Sequence, residues 1–406
     1  MSKIQRCRSC NSDRLTFLFS LGQIAYSGIF PGRNQKIDYG KLSMIICKIC
    51  KLVQLDRNFN PKKMYGSNYG YRTGLNPSMV SHMKNKANLL KRYLRNGNKV
   101  ILDIGSNDGT FLSFFNSNKF KLFGNDPTIK KFKKFYKKKI TTINDFFSGR
   151  KFLNSSKVKA DLITTHAMLY DLKKPKKFIK DIYNCLSDDG IWHTEQSYLQ
   201  FMINKKSYDT ICHEHLEYYS LQSLKYLFDK VGFKIIKIVF NDVNGGSIAL
   251  TLAKKNSNVY KEKKQQILRI LHKEKKDKLY NVITFKKFYK KIVNESNNLN
   301  KFLSKLKTKN KLVVGYGAST KGNIILNYSK IDSKLIKCIA EVNPFKFGKF
   351  TPGTNIKIIS EQKARKLKPD YFLVLPWHFK NFIINKEKKF KGNTKLIFPL
   401  PTLKVV

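Results

Sequence analysis

The 406-residue chain contains few acidic residues, little arginine and no long apolar run. No apolar stretch approaches the roughly 20 residues that a membrane-spanning helix needs, so we expect no transmembrane segment. The first residues, Met-Ser-Lys-Ile-Gln-Arg-Cys, lack the apolar core of a signal peptide. The sequence therefore predicts a protein without a membrane partner, in the cytoplasm.

Basic residues outnumber acidic residues by 80 to 27, which gives a formal net charge of +53. Such a charge favours phosphate-bearing partners, including nucleic acids. However, only 11 of the 80 basic residues are arginine, the residue preferred for bidentate phosphate and base contacts, and the lysines are spread along the whole chain. We therefore expect most of this charge on solvated faces, where it helps an anionic small ligand, and we do not expect nucleic acid as the main partner.

The remaining composition is that of a globular protein, with 41% hydrophobic and 13% aromatic residues. The length suits two or three domains, each with its own core.

Four of the seven cysteines form two Cys-x2-Cys pairs, Cys7 with Cys10 and Cys47 with Cys50. Each pair places two thiolates on one side of a tetrahedral ion, a pattern typical of zinc sites in cytosolic chains. A redox role is the alternative, and the presence of two separate pairs disfavours it. The 36 residues between the pairs exceed the usual ribbon spacing, so we expect a short hairpin or an extra loop there. Residues 1–58 are predicted to be a zinc-binding domain.

A glycine-containing turn follows the apolar run that begins at residue 99. The run ends at Asp103, and the turn carries Gly105 and Gly109. This spacing is not the G-x-G-x-x-G of dinucleotide-binding loops. The looser Asp-x-Gly-x-x-x-Gly spacing is typical of loops that bind S-adenosylmethionine (SAM), which carries no phosphate. Helical spacing after the turn predicts a strand–loop–helix junction beside a crevice. An ordinary turn with a helix cap is the alternative.

A second acidic residue supports nucleoside binding. Asp126 ends the next apolar run, ~20 residues after the loop, where a carboxylate can bind ribose hydroxyls. The residues that we assign to the SAM pocket are Asp103, Gly105, Asn107, Gly109, Asp126, Asp145 and His166.

Strands and helices alternate in the middle of the chain, which is typical of a doubly wound sheet. The predicted strands are 99–104, 121–125, 139–143, 160–166, 190–195 and 234–240, and the helices between them include 129–138 and 176–186. The sequence thus predicts the α/β class, with a doubly wound central domain at residues 98–255.

Residues 256–310 are rich in lysine and carry an apolar residue at about every third position, at Leu279, Val282, Phe285 and Phe288. This spacing predicts an amphipathic helical connector.

A second α/β unit is predicted at residues 311–406. An apolar run leads into Gly315-Tyr-Gly317, a second strand ends at Glu341, and a third apolar run covers 370–377. These features predict a Rossmann-like domain with at least three parallel strands.

Residues 208–220 contain two histidines, three carboxylates and three tyrosines. They follow the fifth predicted strand, at the carboxyl edge of the sheet, where α/β proteins bind ligands. The segment is not a metal-binding His-Glu-x-x-His helix, because position 217 is Glu. A histidine can act as a general base here, with a carboxylate that orients it and a tyrosine that stabilises an oxyanion. Metal binding by His213 and His215, and a capped helix start without chemistry, are the alternatives.

Seven motifs follow one another in a particular order. They are the two Cys-x2-Cys pairs, Tyr69-Gly-Tyr71-Arg72, Asp103-Ile-Gly-Ser-Asn-Asp-Gly109, His213-Glu-His-Leu-x-Tyr-Tyr-Ser220, Gly245-Gly-Ser247, Gly315-Tyr-Gly-Ala-Ser-x-Lys-Gly-Asn323 and Tyr371-Phe-Leu-Val-Leu-Pro-Trp377. This order resembles the three-domain SAM-dependent C-methyltransferases that act on nucleotide-linked keto-sugars. The resemblance covers essentially the whole chain. It implies a zinc-binding N-terminal domain, a helical linker at 59–97 that carries active-site tyrosines, a central SAM domain, and a C-terminal domain that holds the sugar nucleotide.

The resemblance also implies roles for single residues. His215 would be the base that removes a proton alpha to the ketone. Glu214, Tyr71 and Tyr218 would orient the sugar or stabilise the enolate, and His213 is placed in the same catalytic group. The expected substrate contacts are Tyr69, Asn244, Ser247, Gly317, Lys321 and Glu341. The zinc would be structural, because this methyl transfer needs no metal.

Three positions depart from the better-studied sugar enzymes: Cys212 stands where they tend to carry Tyr, Asn244 where several carry His, and Glu341 where Asp is more usual. These changes are compatible with the same fold and a different acceptor. Two other functions remain as alternatives. A zinc-containing RNA or DNA methyltransferase would suit the charge, but the Asn/Asp-Pro-Pro-Tyr/Phe element and a central Pro-Cys nucleophile are absent. The second alternative is a non-catalytic zinc- and SAM-binding scaffold. The intact Asp103, Asp126 and His215 disfavour it, because a scaffold would not need them.

Overall fold

The structure is a computed structural model that describes residues 2–33, 35–65, 69–94, 98–390 and 393–406. The strands are β1 Ser2–Lys3, β2 Leu15–Ala25, β3 Tyr39–Cys47, β4 Val53–Leu55, β5 Arg57–Asn58, β6 Lys99–Ile104, β7 Phe120–Asn125, β8 Ile140–Ile143, β9 Ala160–His166, β10 Leu186–Ser197, β11 Glu217–Tyr218, β12 Phe233–Asn241, β13 Ser247–Lys254, β14 Val313–Tyr316, β15 Ile339–Glu341, β16 Ile358–Ser360, β17 Tyr371–Val374, β18 Lys395–Phe398 and β19 Lys404–Val405. The α-helices are α1 Pro61–Met64, α2 Pro77–Lys91, α3 Ile129–Phe132, α4 Gly149–Ser156, α5 Pro175–Cys185, α6 Leu199–Asn204, α7 Leu221–Asp229, α8 Lys264–Lys276, α9 Val282–Thr308, α10 Thr320–Tyr328, α11 Glu361–Lys366 and α12 Lys380–Glu387.

The N-terminal sheet has the strand order β11-β4-β3-β2. Its long strands β2 and β3 form an antiparallel hairpin between the two cysteine pairs, which agrees with the hairpin or loop predicted there. The fourth strand, β11, comes from a part of the chain that follows the central parallel strands. Glu217 pairs with Gln54 and Tyr218 pairs with Val53, so the segment predicted to carry the chemistry is attached to the N-terminal sheet.

The central sheet has the order β12-β13-β10-β9-β6-β7-β8. The strands from β10 to β8 are parallel, and β13 is antiparallel to both of its neighbours. All six predicted strands are present, and β6 and β9 have the predicted bounds. The α/β class is therefore confirmed. The sequence reasoning missed β13, which is buried along its whole length.

Two predicted helices are wrong. Residues 129–138 form the single turn α3 and a short 3-10 turn, and the residues after Gly109 form another 3-10 turn, Leu112–Phe114. Tyr136 explains the first difference, because its hydroxyl bonds the Ser106 hydroxyl at 2.8 Å and donates to the Asn107 carbonyl at 2.9 Å. The backbone at Tyr136 is extended, so its ring packs against the glycine loop.

The C-terminal sheet has the order β16-β15-β14-β17-β18-β19, and it is parallel as far as β18. The three predicted strands of this Rossmann-like domain correspond to β14, β15 and β17, and β16 and β18 extend the same parallel sheet. Gly317 follows β14 with φ +83°, and α10 begins at Thr320. The strand–turn–helix unit predicted there is confirmed.

The predicted connector consists of α8 and the 27-residue helix α9. Leu279, Phe285 and Phe288 are buried, as their spacing predicts, and Val282 is partly buried. The face of α9 packs in one apolar core with residues of the N-terminal and C-terminal sheets. Phe288, for example, lies edge-on to Phe19 of β2, with ring centroids 5.9 Å apart. The domain bounds given by the sequence stay a prediction. Among the described residues, no helix combines the length and apolarity required to cross a bilayer.

Candidate active site

The four cysteines of the two pairs converge. The Sγ atoms of Cys7 and Cys50 lie 3.5 Å apart, and so do those of Cys10 and Cys47. Four thiolates around one zinc ion at ~2.3 Å lie ~3.8 Å from one another, so the set fits tetrahedral zinc after a small expansion. Each pair is followed by a left-handed residue, at Asn11 and Lys51. Their N–H groups turn back to the carbonyls of Cys7 and Cys47, which closes each turn around the metal position.

The predicted SAM loop lies at the carboxyl end of β6. Gly105 and Gly109 both have φ +75°, and Asn107 has φ +50°. A Cβ on Gly109 would lie 2.9 Å from the Tyr136 ring, so the loop requires glycine there for space as well as for backbone conformation. Asp103 lies before the loop, and its Oδ1 accepts a hydrogen bond from the Thr164 hydroxyl at 2.6 Å.

Asp126 lies at the end of β7, beside the loop. Its Oδ2 accepts the Asn107 N–H at 2.9 Å, and its Oδ1 accepts the Thr128 N–H at 2.7 Å. The carboxylate therefore holds the loop in place at the edge where β6 and β7 end.

The other two residues predicted to bind SAM differ in position. The His166 ring lies 4.8 Å from the Phe111 ring, with Nδ1 3.7 Å from Asp103 Oδ1. Both of its ring nitrogens are buried and make no hydrogen bond within the described residues. Asp145 lies after β8, where its side chain is 42% exposed and pairs with Lys151. The buried His166 nitrogens lie beside Asp103 and fit a ligand that offers them hydrogen-bonding groups.

A neighbouring ion-pair group was not found from the sequence. Glu195, near the end of β10, contacts His82 Nε2 at 2.6 Å and Lys86 Nζ at 2.5 Å. It also accepts a hydrogen bond from Asn241 at 2.9 Å. His82 and Lys86 are four residues apart on α2, so one face of this helix is fixed to the sheet. Two features of the sequence could have indicated this group: Glu195 lies near the end of a strand, and His82 and Lys86 are four residues apart in a helix.

His215 lies in a turn that follows the 3-10 turn Tyr208–Thr210. Its Nδ1 is 2.8 Å from the Thr210 carbonyl oxygen, and its ring lies 4.2 Å from the ring of Tyr170. A carbonyl accepts only, so Nδ1 carries the proton and Nε2 carries the lone pair. Burial, together with the Lys321 ammonium, lowers the pKa of His215 to about 3. The imidazole is therefore neutral around neutral pH, with its lone pair on Nε2.

Glu214 is buried beside His215. Its Oε1 makes no hydrogen bond within the described residues, and it occupies the space that a Cβ on Gly28 would need. Burial raises the pKa of Glu214 to about 7, although the Lys346 charge opposes this shift. Near neutral pH the carboxyl group can therefore donate a hydrogen bond as well as accept one.

His213 is not brought to this group. Its ring packs between Tyr26 and Phe59 in the N-terminal domain, with centroids 4.6 and 4.8 Å away. Its Nε2 lies 3.2 Å from the Gly40 carbonyl oxygen. A hydrogen bond from the His215 N–H to the Cys212 carbonyl closes a turn that contains His213. This turn directs the His213 side chain into the N-terminal sheet, away from His215.

The predicted tyrosines have different surroundings. Tyr218 donates its hydroxyl to the His215 carbonyl at 3.0 Å, so it holds the backbone of the histidine. Tyr69 packs against Tyr65, whose hydroxyl donates to Asp171 at 2.7 Å. Tyr71 is 45% exposed, on the surface of the same segment.

Sequence reasoning did not assign roles to Tyr170 and Asp209. Tyr170 is buried against the His215 ring. Asp209, directly before Thr210, accepts the indole N–H of Trp377 at 2.8 Å. The Trp377 side chain comes from the C-terminal domain, so this hydrogen bond joins that domain to the segment that holds His215.

The predicted substrate contacts in the C-terminal half are mostly engaged within the protein. Glu341 accepts the N–H groups of Ala318, Val342 and Asn343, and a Cβ on Gly317 would lie 2.8 Å from Pro376. These contacts shape the glycine turn.

The other three predicted contacts also have partners. Ser247 donates to the Val243 carbonyl at 2.9 Å, and the Lys321 ammonium donates to the Asn244 carbonyl at 2.8 Å. The Lys321 charge also lowers the pKa of His215.

Cys212, Glu214 and His215 bring one donor atom each within 4.8 Å of one another. Two lysine charges, Lys321 and Lys346, already act on this group. A divalent ion there would be opposed by both, so we assign the metal to the four-thiol site.

Three known families match consecutive segments of the chain. A zinc binding domain matches residues 7–65, a methyltransferase domain matches 79–238, and a C-methyltransferase C-terminal domain matches 242–401. The segments correspond to the cysteine pairs, the glycine loop with His215, and the second α/β unit.

Proteins with known functions were also similar to the chain. The C-methyltransferase NovU of Streptomyces niveus is 27% identical over 419 residues, which cover 99% of this chain and 97% of that protein. A tRNA U34 carboxymethyltransferase of Campylobacter jejuni is 27% identical over 38% of this chain and 56% of that protein. The plantazolicin methyltransferase BpumL in complex with S-adenosylhomocysteine (SAH) has a TM-score of 0.33 at 14% identity, over 43% of this chain and 83% of that chain.

The matches to the zinc binding, methyltransferase and C-terminal domains follow one another along the chain, and the NovU similarity runs through all three. The chain is a SAM-dependent methyltransferase with a zinc-binding N-terminal domain, and it is similar along its whole length to a C-methyltransferase.

Proposed function

We propose that the protein methylates the carbon alpha to a ketone on a nucleotide-activated sugar, with His215 as the base. The observation that carries this proposal is the state of His215: its Nδ1–H is bound by the Thr210 carbonyl, which leaves the lone pair on Nε2, and the residue lines a small cavity with Tyr170 and Tyr218. The relation to a C-methyltransferase supports carbon as the atom that receives the methyl group.

His215 removes the alpha proton with its Nε2 lone pair, and the electron pair of the C–H bond becomes an enolate. SAM supplies a methyl group on a sulfonium: the enolate carbon forms the new C–C bond, and the electrons of the S–CH3 bond go to sulfur, which gives SAH. The proton stays on His215 until it passes to solvent. The chain must hold the acceptor carbon in line with the methyl group, and such positioning supplies much of the rate.

Glu214 stabilises the oxygen of the enolate. In its neutral form the carboxyl donates a hydrogen bond to the keto oxygen, and this bond strengthens as negative charge develops. Lys321, whose charge acts on His215, adds a positive charge that favours the enolate. Tyr170 lies against the His215 ring. We assign Tyr69 and Tyr71 to the path by which the sugar enters. We assign His213 a packing role.

The SAM side of the site is formed by the carboxyl ends of β6, β7 and β9. Asp126 offers its remaining lone pairs to ribose hydroxyls while it holds the Asn107 N–H. His166 and Asp103 face the amino-acid end of the ligand, where the unbonded histidine nitrogens are available. Asp145 lies at the rim, next to the nucleobase.

The zinc has a structural role in this proposal. It fixes the two turns that precede β2 and β4, and β4 pairs with β11 two residues after His215. A cytoplasmic location suits a site of four reduced thiols and three further free cysteines. Polysaccharide biosynthesis is the setting that we propose for a methylated nucleotide sugar.

The test is to incubate the protein with SAM and a panel of nucleotide-linked keto-sugars, and to measure SAH and the mass of the sugar. We expect one extra methyl group on a keto-sugar and one SAH for each methylation. A second arm contains tRNA in place of the sugar. Methylation of tRNA with none of any sugar would reject the proposal in favour of a nucleic-acid enzyme.

A further inference from the structure

Tyr170 is a buried residue whose hydroxyl is unpaired, next to the proposed base. The residue is 6% exposed, and its hydroxyl makes no hydrogen bond within the described residues. Its ring lies 4.2 Å from the His215 ring, and both residues line the same small cavity. A buried hydroxyl without a partner costs free energy, which a ligand that accepts its hydrogen bond would recover.

The turn that carries Tyr170 lies between the glycine loop and the segment of His215. It is a 3-10 turn, Leu169–Asp171, that follows β9. The Leu216 N–H donates to the Tyr170 carbonyl at 2.8 Å, which attaches the turn to the residue directly after His215. Just before the turn, Met168 packs against the loop, since a Cβ on Gly105 would lie 3.2 Å from Met168 Cγ. Tyr170 therefore lies between the loop that we assign to SAM and the proposed base.

A second unpaired polar group lies beside His215. Glu214 Oε1 makes no hydrogen bond within the described residues, and a Glu214 oxygen lies within 4.8 Å of a ring nitrogen of His215. The Glu214 carboxyl also acts on the Tyr170 phenol, so the two belong to one group. A keto-sugar whose alpha C–H faces His215 has its keto oxygen one carbon away. Because a carbonyl oxygen has two lone pairs, it can accept hydrogen bonds from both Tyr170 and neutral Glu214.

The Tyr170 hydroxyl keeps its proton over the range in which His215 is neutral. Burial raises the pKa of Tyr170 well above its ordinary value, and the Asp171 carboxyl adds to the shift. Burial also raises the pKa of Cys212, which stands where the better-studied sugar enzymes tend to carry Tyr. Cys212 is therefore a neutral thiol and a weak donor, and Tyr170 supplies a phenol that this position lacks.

We propose that Tyr170 is a further catalytic residue, whose hydroxyl donates a hydrogen bond to the keto oxygen beside Glu214. This inference rests on the proposed function and adds a second donor to its enolate pocket. When His215 Nε2 takes the alpha proton, the C–H electron pair forms the C=C bond and the carbonyl π electrons move to oxygen. The hydrogen bonds from Tyr170 and Glu214 strengthen as this charge develops, and neither proton is transferred. When the enolate carbon attacks the SAM methyl group, the electrons return from oxygen and the ketone forms again.

The experiment separates enolate formation from methyl transfer. The full-length protein is incubated in D2O with SAH and the panel of nucleotide-linked keto-sugars, and mass spectrometry follows exchange of the alpha hydrogen above the rate without protein. We expect Tyr170→Phe to slow this exchange, and kcat for methylation with SAM, by about 10²-fold. The KM for the sugar and the affinity for SAH should stay within a few-fold of the wild type. Tyr316→Phe, which changes an equally buried tyrosine of β14, is the matched control and should exchange at the wild-type rate.

Thermal unfolding gives a second readout. Because the Tyr170 hydroxyl has no partner, the Tm of Tyr170→Phe should equal or exceed that of the wild type. Tyr316→Phe loses a hydrogen bond to Glu387 and should have a lower Tm. A Tm of Tyr170→Phe well below the wild type would show that the protein itself binds this hydroxyl, and would overturn its catalytic role.

Two outcomes distinguish the role of Tyr170 from the reaction itself. A wild type that methylates a keto-sugar, together with a Tyr170→Phe variant that exchanges and methylates at the same rate, would overturn the role of Tyr170 and keep the proposed function. A wild type that neither exchanges the alpha hydrogen nor methylates any keto-sugar would reject both.

Discussion

The Nδ1–H of His215 is bound by the Thr210 carbonyl at 2.8 Å, and this hydrogen bond decides which ring nitrogen can take a proton. It fixes the tautomer that carries the lone pair on Nε2, and it orients the ring against Tyr170. A neighbouring backbone carbonyl performs the orienting role that a carboxylate performs in many histidine-based sites.

His215→Asn should lower kcat by about 10²–10⁴-fold, because the asparagine amide cannot accept the alpha proton. The affinity for SAH should stay unchanged, since the SAM loop lies on other strands. Stopped assays for SAH and calorimetry with SAH measure the two effects. His213→Asn is the matched control: it removes a ring from the N-terminal core, so we expect a lower Tm and wild-type turnover per folded molecule. Wild-type turnover by the His215→Asn variant would place the base elsewhere.

The pH dependence of kcat/KM should report the ionisation of Glu214. The proposed mechanism needs His215 neutral and Glu214 protonated, and their pKa values of about 3 and about 7 define the range. As pH rises through about 7, Glu214 ionises and kcat/KM should fall by about tenfold per pH unit. Glu214→Gln keeps an amide donor at every pH, so its profile should lack this decline. An alkaline decline that persists in Glu214→Gln would assign it to another group.

Removal of the zinc should damage catalysis as well as stability. Cys47→Ser should lose the bound zinc, lower the Tm and abolish turnover, because β4 follows the second cysteine pair and supports β11 next to His215. Metal analysis and turnover on the same sample provide the readouts. Cys338→Ser changes a buried thiol of the C-terminal domain and should keep one zinc per chain. Retention of full metal content by Cys47→Ser would remove this thiolate from the set.

The two acids predicted to bind SAM should respond differently. Asp126→Ala removes the acceptor for the Asn107 and Thr128 N–H groups as well as for the ribose, so SAH affinity should fall by about 10–100-fold. Asp145→Ala removes a half-exposed carboxylate that pairs with Lys151, and we expect a change of a few-fold at most. Calorimetry with SAH compares the pair, and equal losses would contradict the rim position of Asp145.

The central parallel strands were predictable because most of their residues are buried, which produces short apolar runs such as residues 100–102 of β6. Strand β13 has the same buried character. It begins directly after Gly245 and Gly246, and paired glycines are a turn signal, so the apolar residues that follow them were not predicted as a strand. The helix predicted at 129–138 has the correct apolar spacing. It fails because the Tyr136 hydroxyl has stronger partners in the glycine loop, a tertiary contact that spacing does not contain.

For the candidate site, residue type and position at a strand end were sufficient to locate Asp103, Asp126 and the His215 segment. The direction in which each side chain of a turn points was not predictable. His213 and His215 were therefore assigned to one catalytic group, although the His213 ring packs against Tyr26 and the His215 ring packs against Tyr170.

The core shared by β2, α9 and the C-terminal sheet has a consequence for synthesis of the protein. The ribosome makes the hairpin of β2 and β3 first, yet the residues that cover Phe19 are in α9, more than two hundred positions later. The first domain therefore stays incompletely packed while most of the chain is translated. This core is complete only when the first and last segments of the chain are both present.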